Sequence, residues 1–478
     1  MNYKTIFNII GKVLLLEAAL MLLPLGVSVI YSDGCTDDLL IGAAAAAALG
    51  AVMFLPTRKA GKPLSVRDSL AVAALTWLFA SLAGCLPFLT SGEISSFPDA
   101  FFETVSGFTT TGASILTDVE RMSRSLLFWR SFTHWLGGMG ILVLVTAIAA
   151  GSGDGSTNIL KAEMPGHSLD KFTPKAKNNA KLLYGIYIVL TLLETVLLLA
   201  GGMPVFDSVV HALGTAGTGG FGIKADSIAS YSAYLQWVIT VFMLLFGVSF
   251  NIYCLVLVRR WREALRSNEL RCYLGIFAAA TVIVCINIYP MYGSVSDVIR
   301  LSSFQTASII TTTGYATADF NTWPQLSKAV LLTLMFCGGC MGSTAGGLKI
   351  SRVTVLAQVC ANEMRRSINP RSVNSVKLNG SVLTSEQEQG VLSYLALYIA
   401  VIAVTFILIS VNGLGFEEDI SAVVSCVNNI GPGFGLIGPA GSYAAYSGFA
   451  KIVLSIAMLI GRLEIYPLLA LMMIGSRR

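Results

Sequence analysis

Uncharged apolar runs of about 20 residues, the length that crosses roughly 30 Å of hydrocarbon, recur from one end of this 478-residue chain to the other. That recurrence excludes a single soluble core. In lipid every backbone amide needs an internal partner, which leaves bundled helices or a closed barrel. A barrel would read as short alternating strands, and the runs here are continuous. The chain therefore reads as an all-α integral membrane protein. Only 12% of its residues are charged, against about a quarter in soluble domains. The net charge of +5 leaves no basic footprint for a nucleic acid.

Apolar segments fall near 6–31, 38–55, 69–89, 125–150, 182–202, 231–258, 272–290, 326–361 (interrupted), 391–411 and 447–475, which predicts ten transmembrane helices. An even number puts both termini on one side. Alternate loops at 58–67, 161–181, 259–271 and 365–377, with Arg477 and Arg478, carry 20 of the 32 Lys and Arg residues. By the positive-inside rule these loops and both termini are cytoplasmic. The opposite loops hold 6 basic but 15 acidic residues, a balance expected to draw cations to the entrance. Lys4 and Lys12 ahead of a long apolar run could suggest a secretory signal, but the run is too long and reads as a retained span.

Four of the outward loops are too long and too apolar to lie wholly in water, and aligning them exposes an internal repeat. Asp99 leads to Gly112 and Asp207 to Gly220 with a separation of 13, Asp419 to Gly433 with 14, and Asp297 to Gly314 with 17. Each copy reads as span, half-helix, glycine turn, span. The chain divides accordingly into an N-terminal two-helix unit (1–66) and four pore repeats (67–160, 161–268, 269–378 and 379–478), the third holding a glycine-rich intramembrane loop.

Irregular backbone at membrane depth survives only where it is buried in protein or lines water. Four such turns are expected to converge on an axis, with the partly negative C-terminal ends of their half-helices pointing inward. Thr109-Thr110-Thr111-Gly112 and Thr311-Thr312-Thr313-Gly314 offer successive carbonyls. Rings of carbonyls can replace the hydration shell of a potassium ion.

The TTTG turns, GTGGFG at 217–222, NNIGPGFG at 428–435, CGGCMGSTAGGLK at 337–349 and GRLEIYP at 461–467 resemble the TrkH potassium transporters of the Trk/Ktr/HKT superfamily of cation transporters. The likeness runs through essentially the whole chain. It implies potassium uptake across the bacterial cytoplasmic (inner) membrane, a pseudo-fourfold pore in each protomer of a homodimer, and a cytosolic regulatory ring of the TrkA type that binds nucleotides. K+ is then the transported ion, with no organic cofactor on this chain. Carried over by position, the filter comprises Thr110, Thr111 and Gly112, Thr218, Gly219 and Gly220, Thr312, Thr313 and Gly314, and Gly431, Pro432 and Gly433. Plant relatives that prefer sodium carry Ser at the first glycine position, so the resemblance makes Gly112 a potassium-favouring residue.

The eighth apolar segment is broken by Gly338, Gly339, Gly342, Gly346 and Gly347 with Ser343 and Thr344. Each glycine costs a helix about 0.8 to 1 kcal/mol relative to Ala, so the segment is expected to unwind. In the family this stretch is the gate below the filter. Arg462 lies deep in the last apolar segment, where a charge costs about 2.5 to 3.5 kcal/mol on insertion scales. The resemblance makes it an electrostatic barrier beside the gate, with Lys349 as a modulator of the loop.

Other motifs lack their context. Cys337 and Cys340 have half-zinc spacing without a second pair. Gly217-x-Gly219-x-x-Gly222 follows an apolar half-helix rather than a strand. Gly151-Ser-Gly153-Asp154 has the GxGD pattern of intramembrane aspartyl proteases without their second Asp, so a hydrolase built on Asp154, His134 or His211 is a poor competitor. No enzyme activity is expected. Within transport, the alternative to a gated pore is a symporter coupled to protons or sodium.

Overall fold

The computed structural model describes residues 1–59, 64–140, 143, 176–371, 374–379 and 381–475. The Gly151–Asp154 turn, most of the basic loop 161–181 and the terminal Arg477 and Arg478 lie outside these residues. The described part is mainly helical, with irregular connecting segments and a two-stranded antiparallel hairpin, Lys377–Leu378 with Ser381–Val382.

Among the described residues six helices are long and apolar enough to cross a membrane: Tyr3–Tyr31, Thr36–Thr57, Val66–Thr90, Asn178–Ala200, Asn268–Tyr292 and Ser385–Asn412. The chain is a multi-pass membrane protein. A seventh crossing is counted if Ala233–Phe246 and Phe250–Leu257 form one span, but the two meet at 89°. This corrects the continuous segment expected over 231–258. The bend has a physical cause: Gly247 O accepts from Cys340 N at 2.9 Å and Phe250 N donates to Gly342 O at 3.0 Å. The backbone groups released at the bend bond to the glycine-rich segment around Cys340 and Gly342.

That segment is unwound. One helix ends at Met335 (Gln325–Met335) and the next begins at Ile350 (Ile350–Ile368). The last apolar segment is also broken, into Gly448–Arg462 and Tyr466–Gly475, by Glu464 and Ile465 at φ 54° and 69°. Arg462 is therefore the last residue of a helix, not a residue within an unbroken one. A guanidinium there complements the partly negative helix end.

At the centre stand four short helices: Phe97–Phe108, Val205–Gly217, Val295–Ile310 and Phe416–Asn428. From Ala100 onward every residue of the first is buried. Each has an Asp in its opening turn: Asp99, Asp207, Asp297 and Asp419. Their carboxylates suit the positive helix ends and are held by Lys451 at 2.6 Å, Tyr231 at 2.8 Å, Arg300 at 2.7 Å and Tyr446 at 3.0 Å, respectively.

Candidate functional site

Each short helix ends in the same backbone figure. A residue in the left-handed region (Thr110, Thr218, Thr312 or Asn429, φ 54–57°) is followed two positions later by a glycine with positive φ: Gly112 at 77°, Gly220 at 75°, Gly314 at 85° and Gly431 at 103°. A non-glycine residue at positive φ is uncommon, and for β-branched threonine it is an outlier. The chain is held there by amide bonds back into the helix: Thr111 N to Ser106 O at 2.9 Å, Gly219 N to Gly214 O at 2.9 Å, Thr313 N to Ser308 O at 2.8 Å and Ile430 N to Ser425 O at 3.0 Å.

The four turns close a ring. A side chain at Gly112 would strike the carbonyl oxygen of Gly219, one at Gly220 that of Thr313, and one at Gly314 that of Ile430. A Cβ at Gly431 would come within 2.7 Å of Thr111 O. Every glycine thus abuts the carbonyl that precedes the glycine of the next turn, and the fourth returns to the first. The fourth member is Gly431 and not Gly433, so the alignment anchored on Asp419 is corrected by two residues. Gly433 has ordinary backbone angles and packs on Ile437 and Ser421. The matching point across turns is the helix start: Gly431 follows its N-cap Gly415 at the same chain distance as Gly112 follows Ser96 and Gly220 follows Pro204. Pro432 and Gly433 lie beyond the ring.

Side chains brace the turns from behind. Thr109 and Thr111 pair through their hydroxyls at 2.8 Å, as do Thr311 and Thr313. Asn429 Nδ2 donates to Thr111 Oγ1 at 2.9 Å, tying the fourth turn to the first, and Tyr443 OH donates to Gly431 O at 2.8 Å. Arg130 and Glu103 form a buried ion pair beside the first turn. The sequence reading missed this pair, although an Arg inside an apolar segment is itself a signal.

One side of the ring opens into a vestibule lined by Gly112, Gly220, Gly314, Pro432, Arg130 and Lys224, among others. No acidic residue lines it among the described residues. The acidic entrance expected from loop composition is not formed in this lining; the four helix-opening carboxylates are engaged with Lys451, Tyr231, Arg300 and Tyr446.

The other side is covered by the glycine-rich segment. Gly338 N bonds Leu348 O at 2.8 Å and Ile350 N bonds Gly339 O at 3.2 Å, so the segment folds back on itself. A side chain at Gly338 would strike Gly346 O, and one at Gly339 would come within 2.7 Å of Ala345 Cβ. Ser343 Oγ donates to Cys340 O at 2.7 Å, and Gly342 and Gly347 have positive φ. The segment is fixed from outside by Glu269, which accepts from Met341 N at 2.6 Å, and by Thr344, whose hydroxyl donates to Phe246 O at 3.2 Å. Arg462 donates to Thr344 O at 2.7 Å and to Gly138 O at 2.7 Å, bridging the segment to the end of the helix Arg124–Gly138. Lys349 is buried and its ammonium bonds Ala345 O, so it turns inward instead of reaching for water. Glu464, two residues beyond Arg462, pairs with Arg352. Gly346, Lys349 and Arg462 line a cavity beneath the segment.

This arrangement has close counterparts. Residues 37–476 match the TrkH family, described as a cation transport protein. The chain belongs to the TrkH family. It is 33% identical over 477 residues to the Trk system potassium uptake protein TrkH of Salmonella typhimurium, covering 98% of each chain. It is 34% identical over 485 residues to the protein of the same name from Vibrio parahaemolyticus, covering 99% of each. Its fold matches the crystal structure of the potassium transporter TrkH from Vibrio parahaemolyticus with a TM-score of 0.90 at 32% identity, over 100% of both chains. As a member of the TrkH family the chain is a cation transporter and not an enzyme.

Proposed function

We propose that this protein carries potassium into the cell across the bacterial inner membrane, through a filter formed by the four converging turns. The observation that supports this most is the cyclic approach of Gly112, Gly220, Gly314 and Gly431 to the carbonyls of Gly219, Thr313, Ile430 and Thr111. A ring of this kind presents backbone oxygen in place of water to a dehydrated cation. The filter residues are Thr110, Thr111 and Gly112, Thr218, Gly219 and Gly220, Thr312, Thr313 and Gly314, and Asn429, Ile430 and Gly431. The chain crosses ten times as a 1–66 unit followed by repeats 67–160, 161–268, 269–378 and 379–478, with both termini cytoplasmic. The segment from Gly338 to Lys349, pinned by Arg462, is the gate. The protein works as a homodimer on a cytosolic nucleotide-binding ring of the TrkA type.

Flux follows the electrochemical gradient, with about 2.3 kcal/mol per charge per 100 mV drawing cations inward. The test is rubidium uptake into proteoliposomes holding the purified chain, with and without the regulatory ring, and no proton or sodium gradient. Uptake suppressed by potassium and weakly by sodium is expected. Absence of uptake in both preparations, with uptake restored by a proton or sodium gradient, would replace the pore with a coupled symporter.

A further inference from the structure

The left-handed residues Thr110, Thr218, Thr312 and Asn429 stand at equivalent points of the four turns, yet their side chains have different partners. Thr218 Oγ1 donates to its neighbour's carbonyl, Gly217 O, at 2.6 Å. Thr110 Oγ1 is buried with no partner among the described residues. Asn429 Nδ2 reaches Thr111 and, at 3.0 Å, Met458 O. Thr312 Oγ1 instead accepts the backbone N–H of Gly346 at 2.7 Å. That bond joins the filter ring directly to the glycine-rich segment.

Gly346 is also wedged against the fourth turn. A Cβ there would lie 2.5 Å from Asn428 O and 2.9 Å from Asn429 Cβ. The segment therefore meets the ring at Gly346, and the contact needs both the missing side chain of Gly346 and the hydroxyl of Thr312. A threonine at positive φ costs about 1 to 3 kcal/mol in backbone strain, which glycine would relieve. Thr110 and Thr218 share that strain, so what sets Thr312 apart is its bond to Gly346.

We propose that Thr312 is a positioning residue that couples gate to filter: its hydroxyl holds the segment against the ring through Gly346 and turns to the ion path when the segment withdraws. The inference rests on reading the ring as filter and the segment as gate. A hydroxyl has two acceptor lone pairs. While Gly346 occupies one, its N–H sets a partial positive charge at the inner mouth, where a cation is unwelcome. Withdrawal removes that charge and frees an oxygen in the same step, so opening and the completion of the innermost cation site are one event.

The test is rubidium flux into proteoliposomes of the full chain without its regulatory partner, comparing T312V, T312S, G346A and R462A. T312V keeps the shape and removes the acceptor. It should raise basal flux about three- to tenfold, as loss of an ordinary net hydrogen bond allows, and raise the rubidium concentration for half-maximal flux. T312S should return both towards wild type. G346A should raise basal flux with little change in half-saturation, because it displaces the segment and keeps the hydroxyl. Wild-type flux in T312V and G346A while R462A leaks would overturn the coupling and leave the gate reading standing. Wild-type flux in all three would overturn both. If T312V cannot be purified, G346A decides: unchanged flux sinks the proposal.

Discussion

Arg130 Nη2 and Glu103 Oε1 lie 2.7 Å apart, with side chains 2% and 0% exposed. Glu103 also accepts from Ile115 N at 2.9 Å, just past the first turn, while the Arg130 guanidinium covers the ring of Phe221 at 4.0 Å and reaches Gly222 O at 3.4 Å. The pair binds the outer ends of two turns together. Removing one partner strands a buried charge, at a cost of about 3 to 5 kcal/mol, whereas replacing both by apolar residues of similar volume is often tolerated. E103Q and R130Q should each lower the thermal unfolding temperature in detergent, and the double variant E103L/R130M should recover much of the loss. Additive losses in the double variant would mean that the two side chains act independently.

At Gly112 two constraints coincide: φ is 77°, and a Cβ would strike Gly219 O. G112S should therefore shift the carbonyl of the second turn and lower rubidium-over-sodium preference several-fold. G433A should be milder, because the atoms nearest its new methyl are side-chain atoms of Ile437 and Ser421, not a ring carbonyl. Relative permeabilities measured by competition flux check both. A larger selectivity loss in G433A than in G112S would restore Gly433 to the ring and displace Gly431.

Arg462 carries bonds that no shorter residue can make, to Thr344 O on the glycine-rich segment and to Gly138 O. R462A should free the segment and increase basal rubidium flux, and deletion of 338–347 should do so more strongly. R462K keeps the charge but cannot span both carbonyls with a planar fork, so it should fall between wild type and R462A. Unchanged flux in correctly folded R462A protein would count against the barrier role.

Asp33 accepts from Ser125 N at 2.8 Å, tying residues 92 positions apart, and locally from Ser28 Oγ at 2.6 Å. Burial raises its carboxyl, but the bonds from Ser28, Ser125 and Cys35 outweigh that effect and hold it below the ordinary carboxylate value. A depressed folded-state value means stabilisation present above the unfolded value of about 3.9 and lost as pH falls through the folded one. The unfolding temperatures of wild type and D33N should differ most near pH 6, begin to converge as pH falls below about 4 and meet only below the folded value. A gap that persists under acid would assign the contribution to shape and not to charge.

Much of this was legible in the sequence because membrane and backbone constraints act locally. The half-helices were visible from Asp residues followed by glycine turns, and the unwound segment from five glycines in ten positions. What escaped notice depends on distance or on packing. The fourth turn was misregistered because Asp419 lies later in its helix than Asp99 and Asp207 do in theirs, and only the N-cap Gly415 fixes the phase. The 89° bend falls at Gly247-Val248-Ser249, a stretch with one glycine and no proline, because its freed groups are satisfied by residues almost a hundred positions away. The break at Glu464 and Ile465 is signalled only indirectly, by Pro467 at the start of the following helix, since neither residue at the break itself favours positive φ. Glu103 and Arg130 meet only once two helices have packed.

The glycine-to-carbonyl contacts run in one direction around the axis, from each turn to the one that follows it. Such an arrangement has no free end at which a change can be absorbed. Bulk added to any one turn is passed to its successor and, after the fourth, back to its origin. The turns are consequently bound to diverge in company: a chain that alters its second turn should carry a matching alteration in the first or third. Comparing many such chains should find the strongest covariation between adjacent turns, including the fourth with the first, although those two are the farthest apart in sequence.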